Sequence, residues 1–246
     1  MDRMIYLAMS GAKSLLDRLA VTSNNLANAS TAGFRAETQG FRAMHVQSDT
    51  QPTRTFVMEA TTGADFSPGP LKSTGRALDV AIDGKGWIAV QLADGSEGYT
   101  RDGSLQIDEN GVLQTRSGFN VSGGGGPISI PANNVVAIAA DGTITAVPTT
   151  KLLTQATPIG RIKLVNPDEA DLERSPDGLF RLRGGGEADA DAKVKLSSEY
   201  LEGSNVNASE ALVEMITIAR QFDLQMKLMQ SADGNAQQAT KLYQMS

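Results

Sequence analysis

The chain has 246 residues, 20% of them charged, with 28 acidic and 22 basic side chains and a net charge of −6. That length suits one or two domains and allows one sizeable core. The mild acidity, without a polybasic run, argues against a nucleic-acid backbone or an anionic membrane surface as partner. The absence of cysteine excludes disulfides, thiolate metal sites and cysteine nucleophiles, and it is compatible with an exported protein.

The first predicted element is a helix. Met1, Ile5, Ala8, Ala12, Leu15, Leu19, Thr22, Leu26 and Ala29 alternate spacings of four and three, which is the seam of a helix packed along another helix. Gly33 sits where such a helix would end in a left-handed residue. Met4, Met9, Leu16 and Val21 lie off the seam. The early apolar stretch, residues 4–12, contains Ser10 and Gly11 and meets Lys13. A cleaved signal peptide needs an uninterrupted apolar core, so none is expected. No run approaches the ~20 apolar residues of a membrane span. Residues 23–35, SNNLANASTAGFR, are uncharged until Arg35 and carry Asn24, Asn25 and Asn28 on faces other than the seam. Amides donate and accept hydrogen bonds without burying a charge. They would suit close contacts with a neighbouring subunit, or else they simply help end the helix.

Residues 36–70 contain three prolines and mixed polarity and read as an extended connector with short strands around Phe56 to Met58. Residues 71–196 read as β. Asp83-Gly84, Asp94-Gly95, Asp102-Gly103, Asn110-Gly111, Asp141-Gly142 and Asp177-Gly178 are turn signals. Between them lie β-rich runs around Val80, Ile88, Ile128 and Ile162, a pattern that predicts a compact barrel or sandwich. Residues 197–246 return to a helix, capped by Asn207 or Ser209. Its seam is Ala208, Leu212, Met215, Ala219, Phe222, Met226 and Met229. Asp233-Gly234 is expected to interrupt or kink it, with a weaker pattern resuming through Ala236, Leu242 and Tyr243. Val213, Leu224 and Leu228 lie off that seam.

The fold class is therefore α+β: a discontinuous, coiled-coil-like pair of N- and C-terminal helices (1–35 and 197–246), a connector (36–70) and an inserted all-β domain (71–196). A helix that is apolar on several faces is buried on several faces. The off-seam residues are either scatter in an ordinary helical hairpin or faces that other subunits cover.

No catalytic constellation emerges. His45 is the one histidine, so neither a two-histidine zinc motif nor a credible triad can be built, and no G-x-S-x-G elbow occurs. Glu187, Asp189 and Asp191 lack the ordered ligand spacing of a calcium loop and read as a solvated loop. Gly123 to Gly126 lacks the helix and Gly-Lys-Ser/Thr of a phosphate cradle and reads as a flexible loop. Trp87 reads as core packing rather than a sugar platform. No enzyme activity, cofactor, metal or small-molecule substrate is expected.

The box Ser23-Asn24-Asn25-Leu26-Ala27-Asn28, followed by Thr31, Gly33 and Phe34, closely resembles the N-terminal signature of bacterial flagellar basal-body rod and hook proteins, which often have alanine at the position of Ser23. Leu201-Glu202-Gly203-Ser204-Asn205-Val206, leading into residues 210–216, resembles their C-terminal signature. Residues 76–82, Gly86-Trp87 and residues 99–103 look like the rod-type β domain, and the opening MDRMIYLAMSGA resembles proximal rod members. The resemblance implies a structural subunit that stacks with itself and other rod proteins in a helical tube. It also implies passage through the flagellar type III export apparatus without signal cleavage, and residence in the rod that crosses the periplasm. It implies no nucleic acid and no membrane insertion. The expected assembly interface joins seam residues Leu15, Leu19, Leu26, Leu212, Met215, Ala219, Phe222, Met226 and Met229 to the signature residues Asn24, Asn25, Asn28, Gly33, Phe34, Ser204, Asn205 and Val206. The alternatives are another axial subunit, of distal rod or hook, or an unrelated β-domain protein that binds or hydrolyses cell-wall glycan.

Overall fold

The computed structural model describes residues 2–45, 55–131, 134–148 and 157–244, and it divides into two compact units. The first comprises Met1–Ala29, Ala36–Asp65 and Val206–Ser246, and the second Ser30–Arg35 and Phe66–Asn205.

The helical unit holds α1 (Asp2–Ala27), a hairpin of β1 (Glu37–His45) and β2 (Thr55–Ala64), and α2 (Ala208–Gln244). The two helices pack antiparallel. Arg18 Nε donates to Glu214 Oε1 at 2.9 Å, and a Cβ placed on Gly11 would lie 3.5 Å from the Gln225 amide nitrogen. On α1 the expected seam lies inward. Ala12 and Thr22 are buried, and Ala8, Leu15, Leu19, Leu26 and Ala29 are half-buried. Thr22 can sit in this seam because its hydroxyl donates to the Arg18 carbonyl one turn back, at 3.0 Å.

On α2 the inward stripe differs from the expected one. Ala211 and Ile218 are buried and Met215, Phe222, Gln225, Met229 and Ala232 half-buried, whereas Ala208, Leu212, Ala219 and Met226 are exposed. Both sets follow the four-three spacing and share Met215, Phe222 and Met229, so they are adjacent ridges of one helix. Periodicity fixes a ridge's spacing but does not choose between neighbours. Small Ala211 allows close approach where Leu212 would hold the helices apart.

Asn207 is the cap of α2. Its side-chain oxygen accepts from the amides of Ser209 and Glu210 at 3.1 and 3.4 Å. The helix runs unbroken through Asp233-Gly234, where an interruption was expected. Glycine costs a helix only about 1 kcal/mol relative to alanine. The Asp233 carboxylate also accepts from Gln237 at 3.0 Å one turn on. The segment read as a connector contains the β1–β2 hairpin, antiparallel with a register shift between Gly40 and Phe41.

The β unit is a set of antiparallel sheets around one core. The largest orders its strands as Leu172–Arg174, Phe180–Leu182, Glu97–Thr100, Trp87–Gln91, Asn120–Gly123, Leu113–Thr115 and Leu105–Ile107. A three-stranded sheet (Asn134–Ile138, Thr143–Pro148, Thr157–Arg161) and two strand pairs complete it; in the pairs, Val80–Asp83 joins Lys195–Ser198 and Leu71–Ser73 joins Tyr200–Glu202. Val80, Ile88, Val90, Leu105, Leu113, Val121, Ile144 and Ile162 close the core. Four of the turn-pair aspartates, Asp94, Asp102, Asp141 and Asp177, accept from the amide two residues on, as Asp94 does from Ser96 at 2.9 Å and Asp141 from Thr143 at 3.0 Å. Gly103 serves a different purpose from the other turn glycines: a Cβ there would fall 1.7 Å from the Val80 carbonyl oxygen. The run Gly123 to Gly126 is ordered rather than loose, because Gly126 pairs with Gly123 as a tight hairpin. Trp87 is buried against Phe180, with ring centroids 4.8 Å apart.

Candidate assembly interface and buried ionic node

The residues expected to form one interface fall into three groups. Leu15, Leu19, Leu26, Met215, Phe222 and Met229 are half-buried between or beside the two helices of their own chain. Leu212, Ala219 and Met226 are exposed and form an outer ridge of α2, joined by Ile216, which the expected set omitted. A second outer stripe of α2 carries Val213, Leu224 and Leu228, and α1 presents Tyr6, Met9 and Leu16. Leu212 is 48% and Val213 64% exposed. Contiguous exposed apolar surface of this kind marks an interaction site. Of the off-seam residues, Met9, Leu16, Val213, Leu224 and Leu228 are thus exposed.

The asparagines are used within the chain. Asn25 makes a two-point pair with the backbone of Glu37, its Nδ2 donating to the carbonyl at 2.9 Å and its Oδ1 accepting from the amide at 2.7 Å. It thereby fixes the start of β1 against α1. Asn28 Nδ2 donates to the Asn24 carbonyl at 3.0 Å and to Asn24 Oδ1 at 2.8 Å, which closes the last turn of α1. Asn24 itself is exposed.

Gly33, Phe34, Ser204 and Asn205 belong to a buried node of the β unit that sequence reading did not assemble. Glu202 is 1% exposed and lies between Arg35 (1%) and Arg101 (6%). Its Oε1 accepts from Arg35 Nη2 at 2.6 Å and from the Gly69 amide at 2.9 Å, and its Oε2 from Arg101 Nη1 at 3.1 Å. The backbone carbonyl of Glu202 accepts from the Gly33 amide at 2.8 Å. Gly33 has φ +66°, and a Cβ there would meet the Arg101 backbone at 2.3 Å, so both conformation and space demand glycine. Asn205 donates through its backbone amide to the Phe34 carbonyl at 3.3 Å and through Nδ2 to the Ser67 carbonyl at 3.1 Å. Arg174 donates to the Arg35 carbonyl at 2.9 Å and stacks 4.3 Å over the Phe34 ring. Burial pulls the Arg101 guanidinium pKa below its ordinary value, while the Glu202 charge pushes it back up.

Chemically this is a site for holding chain segments. Two guanidiniums share one carboxylate with no reactive partner beside them. Among the described residues no group of three or more His, Cys, Asp or Glu could hold a metal ion. No described helix is long and apolar enough to cross a membrane. The side chain of His45 lies outside the described residues.

A closed β unit carried with two long helices that keep apolar ridges outward defines a structural assembly subunit. Three family models match in order along the chain: "Flagella basal body rod protein" over residues 5–35, "Flagellar hook protein FlgE/F/G D1 domain" over 81–146, and "Flagellar basal body rod FlgEFG protein C-terminal" over 197–242. The chain is 47% identical over 252 residues to the flagellar basal-body rod protein FlgF of Escherichia coli strain K12, covering 100% of both. It is 46% identical, again over 100% of both chains, to FlgF of Salmonella typhimurium strain LT2. It is 32% identical to the basal-body rod protein FlgG of Buchnera aphidicola subsp. Baizongia pistaciae, over 97% of this chain and 98% of that one. The chain belongs to the flagellar basal-body rod protein family, and it is a structural, non-enzymatic subunit of the rod.

Proposed function

We propose that this chain polymerises in the proximal part of the rod through the outer ridges of its terminal helices. The observation that carries this is the ridge of Leu212, Ile216, Ala219 and Met226 on α2, exposed beside the seam that its own α1 already fills. Tyr6, Met9 and Leu16 on α1 offer a surface of matching character. Copies related by a rotation and a rise bring unlike faces together without closing, and such contacts extend as a helical filament. Other rod proteins with the same terminal signatures are the neighbours at either end. The flagellar type III export apparatus delivers the chain. Full-length identity of 47% to an F-type protein, against 32% to a G-type one, favours the F-type position.

The test pairs Leu212→Asp with Ile216→Asp. A buried unpaired carboxylate in a subunit contact is costly. The double variant is expected to be missing from purified hook–basal bodies and to abolish swimming, with thermal unfolding of the β unit unchanged. Swimming cells whose rods contain the variant would refute the assigned ridge.

A further inference from the structure

We propose that Glu202 is a positioning residue: its one carboxylate sets the stiffness with which the β unit holds the three chain segments that run into the terminal helices and the hairpin. This rests on the rod reading for its purpose, since a rotating shaft transmits load between the parts of each subunit.

The chain passes between the two units after residues 29, 35, 65 and 205. The segments on the β side of these junctions are Ser30–Arg35, residues 66–70 and residues 201–205. Each reaches Glu202 directly or through its neighbour. Gly33 donates to its backbone carbonyl, Arg35 and Gly69 to Oε1, and Gly203 to the carbonyl of Pro70 at 2.9 Å. Oε2 takes Arg101, whose Nη2 donates to the Gly84 carbonyl at 2.8 Å, so the core side of the unit is tied to the same carboxylate.

Stability alone does not explain this choice. Buried ionic sets are often matched or exceeded by apolar residues of equal volume. The set here also carries one positive charge in excess and leaves Arg35 Nε and Nη1 and Arg101 Nε without partners. What the carboxylate supplies is direction. Two oxygens with charge-assisted bonds hold the Gly69 amide and the Arg35 and Arg101 side chains at set angles to the segment of Glu202, where an apolar plug would let the segments slide. No outer ridge residue is among the partners of the node.

Two variants of the full-length protein test this. Glu202→Gln removes the charge and keeps the shape. The triple variant Arg35→Met, Arg101→Met, Glu202→Leu restores an apolar fill and guards against simple unfolding. For both, amide exchange at Gly69 and Gly203 is expected to rise about tenfold or more, with Ile88 and Val90 in the core within about twofold. In cells both are expected to enter the rod, with rotation slowed under high viscous load and near normal under low load. Core and segment amides that quicken together, unchanged exchange, exclusion of the folded variants from the rod, or unaltered high-load rotation would each overturn the assignment. If the unmutated protein itself is missing from purified hook–basal bodies, the rod reading falls instead, and the exchange result stands apart from it.

Discussion

The two units bury their apolar residues very differently. Among the described residues, all but three of the buried hydrophobic side chains belong to the β unit, the exceptions being Ala12, Ala211 and Ile218. Nine of the large exposed hydrophobics belong to the helical unit, from Tyr6 to Leu228, against four in the β unit, namely Leu71, Ile107, Val135 and Tyr200. One unit is complete as a folded body. Among its described residues, the other buries a narrow seam and keeps its large exposed hydrophobics outward. Helices draw most of their stability from tertiary packing rather than propensity, so the helical pair is expected to gain order when neighbours cover it.

Amide exchange on the isolated monomer gives the widest separation. Protection at Ile88, Val90 and Leu113 is expected to exceed that across 212–229 by on the order of a hundredfold. Equal protection in a verified monomer would mean that the helical unit is complete alone. Truncation gives the next contrast. Ile88→Ala should cost about 2–5 kcal/mol in urea unfolding, whereas Leu212→Ala should move the monomer by no more than about 0.5 kcal/mol while weakening incorporation into rods. A comparable loss at both sites would erase the distinction. The smallest expected effect is Asn25→Ala, at roughly 1 kcal/mol for the lost backbone pairing. It should appear as faster exchange at the Glu37 amide. If rods also fail to form while that amide is unaffected, Asn25 acts on a neighbouring subunit instead.

Much of this division could be read from residue patterns. The seam of α1 is unambiguous because Ala12, Leu15, Leu19 and Leu26 leave no competing ridge of similar strength. The seam of α2 was read one ridge away, since Leu212 and Met226 are more apolar than Ala211 and Gln225, and the pattern weighs hydrophobicity above fit. The β unit was legible from its Asp-Gly pairs, but of the β1–β2 hairpin, whose strands are nine and ten residues long, only the stretch around Phe56 to Met58 was. Its residues mix polar and apolar without the clean alternation of a half-buried strand. The node was invisible for a different reason. Glu202 lies 101 positions from Arg101 and 167 from Arg35, and no local periodicity marks an ionic partner at that distance. The family signatures did contain Gly33, Phe34, Ser204 and Asn205. Within the chain, Gly33, Phe34 and Asn205 help gather its own segments, a use that no local pattern marks.

The place of Glu202 late in the chain has one more consequence. A polypeptide cut short of it would leave the guanidiniums of Arg35 and Arg101 and the Gly69 amide without their shared acceptor. The segments gathered there would then be loose even with nearly every core strand present. A copy truncated before residue 202 is therefore expected to be cut by protease near Gly69 faster than the full-length chain, because the late carboxylate is what gathers that segment.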